Sequence, residues 1–200
     1  AVRKVIKQSK VEKVWFGAAA PLALSARFLR VGNVKKIVAL SHGHEVWWSK
    51  VFPFNLAMKE IARSVDVLTF LGDYTGSVIK KNFKGRAKLL KIAPGIDINH
   101  FKPERDLSKI SEVRSELKIG SEPLILSVGR LVHRKGQDKL ITAMPKILAR
   151  RPDAKLLFIG QGPRKAKLDS LIAKYGIEDS VIFLGSIAYA DLPKYLNAAD

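Results

Sequence analysis

The chain has 200 residues, of which 47% are hydrophobic and 27% charged, with a net charge of +18 at pH 7 and no cysteine. This composition is that of a folded chain that buries one or two cores, and it excludes disulfides and thiolate metal sites. The longest uncharged stretch, residues 14–26, is shorter than the roughly 20 residues of a membrane-spanning helix. We therefore predict a soluble protein, at most peripheral to a membrane, in a reducing cytoplasm.

The excess of positive charge is larger in residues 1–100 than in residues 101–200. Such a surface attracts polyanions, so nucleic acid, anionic lipid and phosphorylated small molecules are candidate partners, and a plainly solvated basic face is the alternative. Zinc-finger spacing, RNP-type aromatic strands and basic heptads are missing from the sequence. We therefore do not expect nucleic acid as a partner.

In the first half, short apolar runs alternate with segments of helical period. The pattern predicts strands at 13–18, 35–41, 66–71 and 87–93, and helices at 21–31, 54–64 and 74–83. This alternation is typical of βαβ units with a parallel sheet. The polar stretch 94–106, punctuated by Pro94, Gly95 and Pro103, predicts a domain boundary.

The alternation resumes in the second half. Helices are predicted at 110–117, 136–150, 163–174 and from about 191, and strands at 123–128, 155–160 and 180–184. Both halves are therefore predicted to be doubly wound α/β. In such sheets ligands bind beyond the carboxyl ends of the strands, so functional residues are sought directly after each strand.

The loop "SVGRLVHRKGQD" (127–138) follows one predicted strand. Gly129 permits a tight turn, Arg130 offers a bidentate fork to phosphate oxygens, and Lys135 adds a point charge near the start of a helix. A diphosphate fits this set better than a carboxylate. The alternative is that Arg134 and Lys135 are solvated charges beside the helix, and the G-K-[ST] ending of a P-loop is missing.

Two other strand ends carry candidate residues. "IGQGP" (159–163) contains Gly160 and Gly162, which indicate either a tight turn or a close backbone approach to a nucleotide. "LSHGHE" (40–45) contains His42, which is either a structural histidine or a group that binds a sugar hydroxyl or transfers a proton. A metal site of His42, His44 and Glu45 is disfavoured because the two histidines lack a third partner at helical spacing.

Several longer strings carry a family resemblance. "SVGRLVHRKGQDKLITAMPKI", "RPDAKLLFIGQGP" and "VIFLGSIAYADLPKYLNAAD" resemble the nucleotide-binding domain of retaining glycosyltransferases of family 4, which have the GT-B fold. "SHGHEVWWS", "VDVLTFLGDYT" and "APGIDINHFKP" resemble the acceptor domain and the interdomain linker of the same family. The resemblance covers roughly residues 34–200. Within the family, the pattern is most similar to actinobacterial mannosyltransferases that act on phosphatidylinositol monomannoside.

The resemblance implies two Rossmann-like domains, each only partly contained in the chain. Residues 1–93 would be the C-terminal part of the acceptor-binding domain, 94–120 the interdomain linker, and 121–200 the N-terminal part of the nucleotide-sugar-binding domain. The family's glycine-rich loop would precede this chain and its E-x7-E segment would follow Asp200. We therefore expect an internal piece that is inactive by itself.

The resemblance also implies roles for the candidate residues. Arg130 and Lys135 would bind the diphosphate of GDP-mannose or a similar donor, and His42 would contact the transferred sugar as a catalytic residue. Three glycines would contribute to nucleotide-sugar binding: Gly129, Gly160 and Gly162. Because the sequence contains no Asp-x-Asp motif, we expect transfer without a metal or other cofactor. We expect His42, Arg130 and Lys135 to face a common cleft.

An anionic membrane surface is a further expected partner. The resemblance implies an acceptor such as phosphatidylinositol mannoside and a peripheral position at the inner face of the cell membrane. Trp47 and Trp48 follow the histidine motif in the more basic half, so residues 1–93 are predicted to be the docking side. The alternative for both tryptophans is a place in the core or the cleft. For the whole chain, the alternative is a nucleotide-binding or nucleic-acid-binding α/β protein without transferase activity.

Overall fold

The computed structural model describes residues 1–82, 85 and 87–200. The chain forms two compact units, Ala1–Gly95 and Ile96–Asp200. Each unit is an α/β structure with a parallel sheet, as the alternation of strands and helices predicted. Residue 83, the predicted end of the helix that begins at 74, lies outside the described residues.

In the first unit, helical segments alternate with the strands and connect one strand to the next. They are α1 (Val2–Gln8), β1 (Lys13–Phe16), a 3₁₀ helix (Leu22–Phe28), β2 (Lys36–Leu40), α2 (Glu45–Lys50), α3 (Phe54–Ser64), β3 (Val67–Phe70), α4 (Asp73–Asn82) and β4 (Lys88–Lys91).

The described strands of the first unit form a sheet in the order β1-β2-β3-β4, and every neighbouring pair is parallel. Parallel neighbours need a crossover on a sheet face, so the connecting helices cover apolar side chains of the strands. Ile37 and Leu68 from the sheet and Met58 and Ile61 from α3 are fully buried in this core. The carboxyl end of β2 leads directly into the histidine motif.

The segment predicted as a helix at 21–31 is not an α-helix but a 3₁₀ helix over Leu22–Phe28. Its buried residues explain the difference, because Ala20, Ala23 and Ala26 recur every three positions and are all buried. A 3₁₀ helix has three residues per turn, so it places such residues on one face. The small alanine side chains allow this tight segment to pack beside α3 in the core of the first unit.

Among its described residues, the second unit contains four α-helices, three strands and three short 3₁₀ turns. The α-helices and strands are α5 (Leu107–Glu116), β5 (Leu124–Val128), α6 (Gln137–Leu148), β6 (Lys155–Ile159), α7 (Lys165–Tyr175), β7 (Val181–Gly185) and α8 (Leu192–Ala198).

The central strand β6 explains why this unit is doubly wound. The sheet order is β5-β6-β7, all parallel. Leu156 and Phe158 belong to one core cluster with residues of α6 and α7, whereas Leu157 and Ile159 belong to a second cluster with residues of α5 and α8. Successive side chains of a strand point to opposite faces, so a continuous apolar run is needed when helices cover both.

Most predicted elements lie within a few residues of those observed, and two short helices were missed. α3 spans Phe54–Ser64, as predicted, and the other predicted strands and helices are shifted at their ends by up to three residues. The sequence analysis did not predict α1 or α2, which have 7 and 6 residues. In the described part of the chain, no helix is long and apolar enough to cross a membrane.

Candidate functional site

The loops that follow β5 and β6 are hydrogen-bonded to each other through their backbones. Gly129 N donates to the carbonyl of Ile159 at 2.8 Å, and Leu131 N donates to the carbonyl of Gln161 at 3.0 Å. These bonds extend the pairing of the two strands beyond the sheet. The loop that carries Arg130 is therefore held in place by the neighbouring loop.

Two glycines make this close approach possible. A Cβ at Gly160, whose φ is +132°, would overlap the carbonyl group of Gly129, and a Cβ at Gly162 would overlap the backbone of Leu131. Any side chain at either position would push the loops apart. The structure thus gives both glycines a packing role, and their contact with a nucleotide stays a prediction.

Arg130 and Lys135 lie on the exposed side of this pair of loops. Lys135 ends a short 3₁₀ turn, His133–Lys135, and its Nζ lies 3.9 Å from the position that a Cβ of Gly129 would occupy. Its ammonium group therefore lies over Gly129, next to Arg130 in the chain. None of the ion pairs of the described residues includes Arg130, Arg134 or Lys135, so these charges are open to an anion.

Gln137 holds this loop from the helix side, a role that the sequence analysis missed. Its side chain is 3% exposed, and its Nε2 donates to the carbonyl of Arg130 at 3.2 Å. A buried amide needs such a partner, and here the partner is the residue that carries the guanidinium. In the sequence, the residue is marked only as a polar residue at the first position of α6.

Arg164 secures the other loop. The backbone N–H of Arg164 donates to the carbonyl of Leu131 at 3.3 Å. The guanidinium of Arg164 lies 3.8 Å from the carboxylate of Asp138, and both side chains are largely buried. Removing one partner from such a pair leaves a poorly solvated charge. The loop and helix start at 129–138 are therefore tied to the loop after β6 by the Asp138–Arg164 ion pair as well as by the backbone bonds of Gly129 and Leu131.

A cavity of about 450 Å³ opens at the carboxyl ends of the three strands of the second unit. Its lining combines the cationic and glycine-rich loops with apolar residues after β7, and it includes Gly129, Arg130, Gly160, Gln161, Ile187 and Tyr189. This size is within the usual range of small-molecule sites. The arrangement suits a ligand with an anionic part beside Arg130 and a flat or apolar part beside Tyr189.

In the first unit, Glu45 organises the histidine motif. Its carboxylate is fully buried, and one oxygen accepts hydrogen bonds from Ser41 Oγ at 3.0 Å and from the amides of His42 and Gly43, both at 3.1 Å. Glu45 is the first residue of α2, where a negative charge also interacts favourably with the helix dipole. The conformation of the loop that carries His42 therefore depends on this carboxylate.

The two histidine rings of this motif bind different backbone carbonyls. His42 Nε2 donates to Gly17 O at 2.5 Å, and His44 Nε2 donates to Ala20 O at 2.9 Å. With Nε2 as the donor, Nδ1 of the neutral His42 ring is left as an acceptor, which suits a ligand hydroxyl. Among the described residues, no group of three or more ligating side chains is arranged to hold a metal ion.

The structure brings most of the predicted site residues together. Five of them lie at the paired loops of the second unit: Gly129, Arg130, Lys135, Gly160 and Gly162. His42 belongs to the first unit, at the carboxyl end of β2. The expected meeting of His42 with Arg130 and Lys135 stays a prediction.

Comparison with known proteins agrees with these observations. Residues 108–200 match the family model of group 1 glycosyl transferases. The chain is also 38% identical over 199 residues to a Mycobacterium tuberculosis protein described as a GDP-mannose-dependent alpha-(1-6)-phosphatidylinositol monomannoside mannosyltransferase. That match covers 100% of the chain and 51% of the relative.

A Corynebacterium glutamicum relative, described as acting on the monoacylated form of that lipid, is 38% identical over 201 residues; the match covers 100% of the chain and 52% of the relative. The chain thus spans about half the length of the curated relatives it matches. These matches confirm the resemblance to glycosyltransferases that the motifs indicated.

Solved structures show the same fold. Anabaena HepE in complex with UDP superposes with a TM-score of 0.79 at 22% identity, covering 100% of this chain and 54% of that protein. Sucrose-phosphate synthase from Thermosynechococcus elongatus gives a TM-score of 0.77 at 20% identity, covering 98% and 51%. The predicted α/β class with the GT-B fold is confirmed by this likeness.

The buried carboxylate of Glu45 leads to a stability prediction. Glu45→Ala removes the acceptor of the buried Ser41 hydroxyl and of two partly buried amides, and a fully buried donor without an acceptor costs roughly 1–3 kcal/mol. We expect the first unit to lose about 2–4 kcal/mol of unfolding free energy. Urea denaturation followed by tryptophan fluorescence measures this loss, because all three tryptophans lie in the first unit.

Glu12→Ala is the matched control, since the Glu12 side chain is 52% exposed and pairs with the exposed Lys35. An exposed pair of this kind contributes at most about 1 kcal/mol. If the two variants unfold at the same urea concentration, Glu45 does not have the organising role described above.

Proposed function

We propose that this chain, which matches the group 1 glycosyl transferase model at residues 108–200, belongs to an enzyme that transfers a hexose from a nucleoside diphosphate sugar to an acceptor. The observation that carries this proposal is the pair of cations, Arg130 and Lys135, beside a cavity at the carboxyl ends of the strands. GDP-mannose is the proposed donor. The relatives described as GDP-mannose-dependent support this choice.

The proposed chemistry explains why two cations are needed. Transfer breaks the bond between the anomeric carbon and the oxygen of the terminal phosphate, and the electron pair stays on the leaving diphosphate. A preorganised guanidinium and ammonium stabilise this developing negative charge. The acceptor hydroxyl forms the new glycosidic bond, and its proton passes to an oxygen of the departing diphosphate. Retention of the anomeric configuration is proposed from the family resemblance.

The cavity lining supports an orientation for the donor. Arg130 and Gly129 lie on the side where the diphosphate is proposed to bind, and Ile187 and Tyr189 lie after β7. Tyr189 is 66% exposed, and its ring offers a flat apolar face to a base. We propose that the phosphates bind at the paired loops and that the base lies toward Tyr189.

His42 is proposed to contact the transferred sugar. Its Nε2 is engaged with the Gly17 carbonyl, and its backbone amide is fixed by Glu45. The ring therefore has a set orientation, with Nδ1 as the atom that accepts a hydrogen bond from a sugar hydroxyl. Preorganisation of this kind reduces the cost of ordering the site when substrate binds.

A lipid acceptor at an anionic membrane surface is the second part of the proposal, with the enzyme peripheral to the inner face of the membrane. Aromatic rings and lysines together suit the interface of such a membrane. In the first unit, Trp47, Phe52 and Tyr74 are 53%, 75% and 68% exposed, and Lys50 Nζ lies 3.4 Å from Tyr74 Oη. Trp48 instead packs against the first core, as the alternative interpretation held for both tryptophans.

The diphosphate assignment predicts the effect of removing either cation. In the full-length enzyme, Arg130→Ala or Lys135→Ala should reduce turnover of GDP-mannose by at least about 10²-fold, because each removes a group that stabilises the leaving phosphate. Arg150→Ala, which removes an exposed charge after α6, is the control and should leave turnover unchanged. Near-normal turnover in folded Arg130→Ala and Lys135→Ala variants would refute the assignment.

The membrane proposal predicts binding to lipid vesicles. Co-sedimentation should rise with the fraction of anionic lipid and fall with added salt, because screening weakens surface electrostatics beyond a Debye length. Trp47→Ala should weaken binding, whereas Trp15→Ala, which removes a tryptophan that is 65% exposed on β1, should not. Equal recovery on phosphatidylcholine and on anionic vesicles would show that the surface does not recognise charge.

A further inference from the structure

The segment that begins the second unit folds back on itself at Asp97. The Asp97 carboxylate accepts hydrogen bonds from the amides of Asn99 at 2.9 Å and His100 at 3.2 Å, and the Asp97 carbonyl accepts one from the Phe101 amide at 2.8 Å. A short aspartate side chain commonly closes a turn in this way. The turn presents the rings of two consecutive residues, His100 and Phe101.

Both rings pack against Tyr189, which lies 89 positions after His100. His100 stacks on Tyr189 with ring centroids 5.0 Å apart and an interplanar angle of 21°, and Phe101 meets Tyr189 edge to face at 5.3 Å. His100 Nε2 also donates to the Tyr189 carbonyl at 3.2 Å. The side chain and the backbone of Tyr189 are therefore held by the same turn.

A second contact fixes the segment on α8. Asn197 accepts a hydrogen bond from the Glu104 amide at 2.8 Å and donates one to the Lys102 carbonyl at 3.1 Å. Residues 97–104 are thus bound at two points to the end of the second unit, by aromatic contacts with Tyr189 and by the side-chain amide of Asn197. The bonds to Asn197 therefore restrain the segment that carries the turn at Asp97, and with it the two rings that contact Tyr189.

Tyr189 links the turn at Asp97 to the cavity at the carboxyl ends of the strands. It lines the cavity together with Gly129 and Arg130, and it begins the short turn Tyr189–Asp191 that leads into α8. Tyr189 as a whole is 66% exposed, so its contacts with His100 and Phe101 supply much of the packing that holds its ring. Ordering such a ring only when a ligand binds has an entropic cost, whereas a ring that is already held avoids that cost.

We propose that His100 is a positioning residue for the nucleotide site, acting through Tyr189. By stacking on the ring and bonding the carbonyl, it holds the loop 186–189 in the conformation that receives a nucleoside diphosphate. The inference rests on the proposed function for the identity of the ligand. That His100 holds the loop can be tested on the protein without a ligand. It assigns a role in donor binding to a residue that lies outside both of the loops proposed to bind phosphate.

Two variants of His100 test the proposal. His100→Ala removes both the stack and the hydrogen bond, whereas His100→Phe keeps a flat ring. Hydrogen–deuterium exchange of residues 186–192 in the ligand-free chain should become faster in His100→Ala and stay close to wild type in His100→Phe. Calorimetry with GDP should show affinity about fivefold weaker in His100→Ala, which is the size expected for one aromatic contact, and largely restored in His100→Phe.

Tyr175→Ala is the control for loss of an aromatic ring elsewhere in the second unit and should change neither measurement. Unchanged exchange of residues 186–192 in His100→Ala would overturn the proposal. So would unchanged GDP affinity in that variant, or exchange in His100→Phe as fast as in His100→Ala. If the wild-type chain binds no GDP, the proposed donor fails, and the exchange data alone decide whether His100 holds the loop.

Discussion

The close contact between the loops after β5 and β6 is the constraint on which the candidate site depends. Backbone bonds join Gly129 to Ile159 and Leu131 to Gln161, and they form only because Gly160 and Gly162 carry no side chains. The contact fixes the backbone on both sides of Arg130. A guanidinium on a fixed backbone loses less freedom when it binds phosphate than one on a mobile loop.

In both units a buried side chain holds the loop between a strand and the following helix, as an acceptor in the first unit and as a donor in the second. In each, the first residue of the helix after a strand reaches back to the loop between them. Glu45 begins α2 and accepts the amides of His42 and Gly43, whereas Gln137 begins α6 and donates to the carbonyl of Arg130. A buried side chain thereby sets the conformation of a loop whose own functional side chain stays exposed.

The fold was largely predictable because its periodicity is strong. The alternation predicted a strand at 155–160, which is the doubly buried β6, and the predicted limits of α3 are those observed. The 3₁₀ helix was not predictable from helical propensity, since its alanines fit either kind of helix and only their three-residue spacing distinguishes it. The six-residue α2 is stabilised by the Glu45 contacts rather than by a long amphipathic pattern.

The candidate site was predictable only in part, for a related reason. Arg130 and Lys135 stand out because a strand end with cations is a local signal. The role of Tyr189 depends on a ring stack between positions 100 and 189, and that of Gln137 on a hydrogen bond to the backbone carbonyl of Arg130, which no side-chain pattern marks. A single sequence does not reveal such pairs, since neither partner has an unusual neighbourhood.

The central claim is that the paired loops of the second unit bind a diphosphate, and a comparison of ligands that differ only in phosphate number tests it most directly. Calorimetry of the unmodified chain with GDP, GMP and guanosine isolates the phosphate contribution. One charge-assisted bond contributes roughly 1.5–3 kcal/mol, so GDP should bind about tenfold or more tightly than GMP, and GMP more tightly than guanosine. Equal affinity for GDP and GMP would contradict the claim.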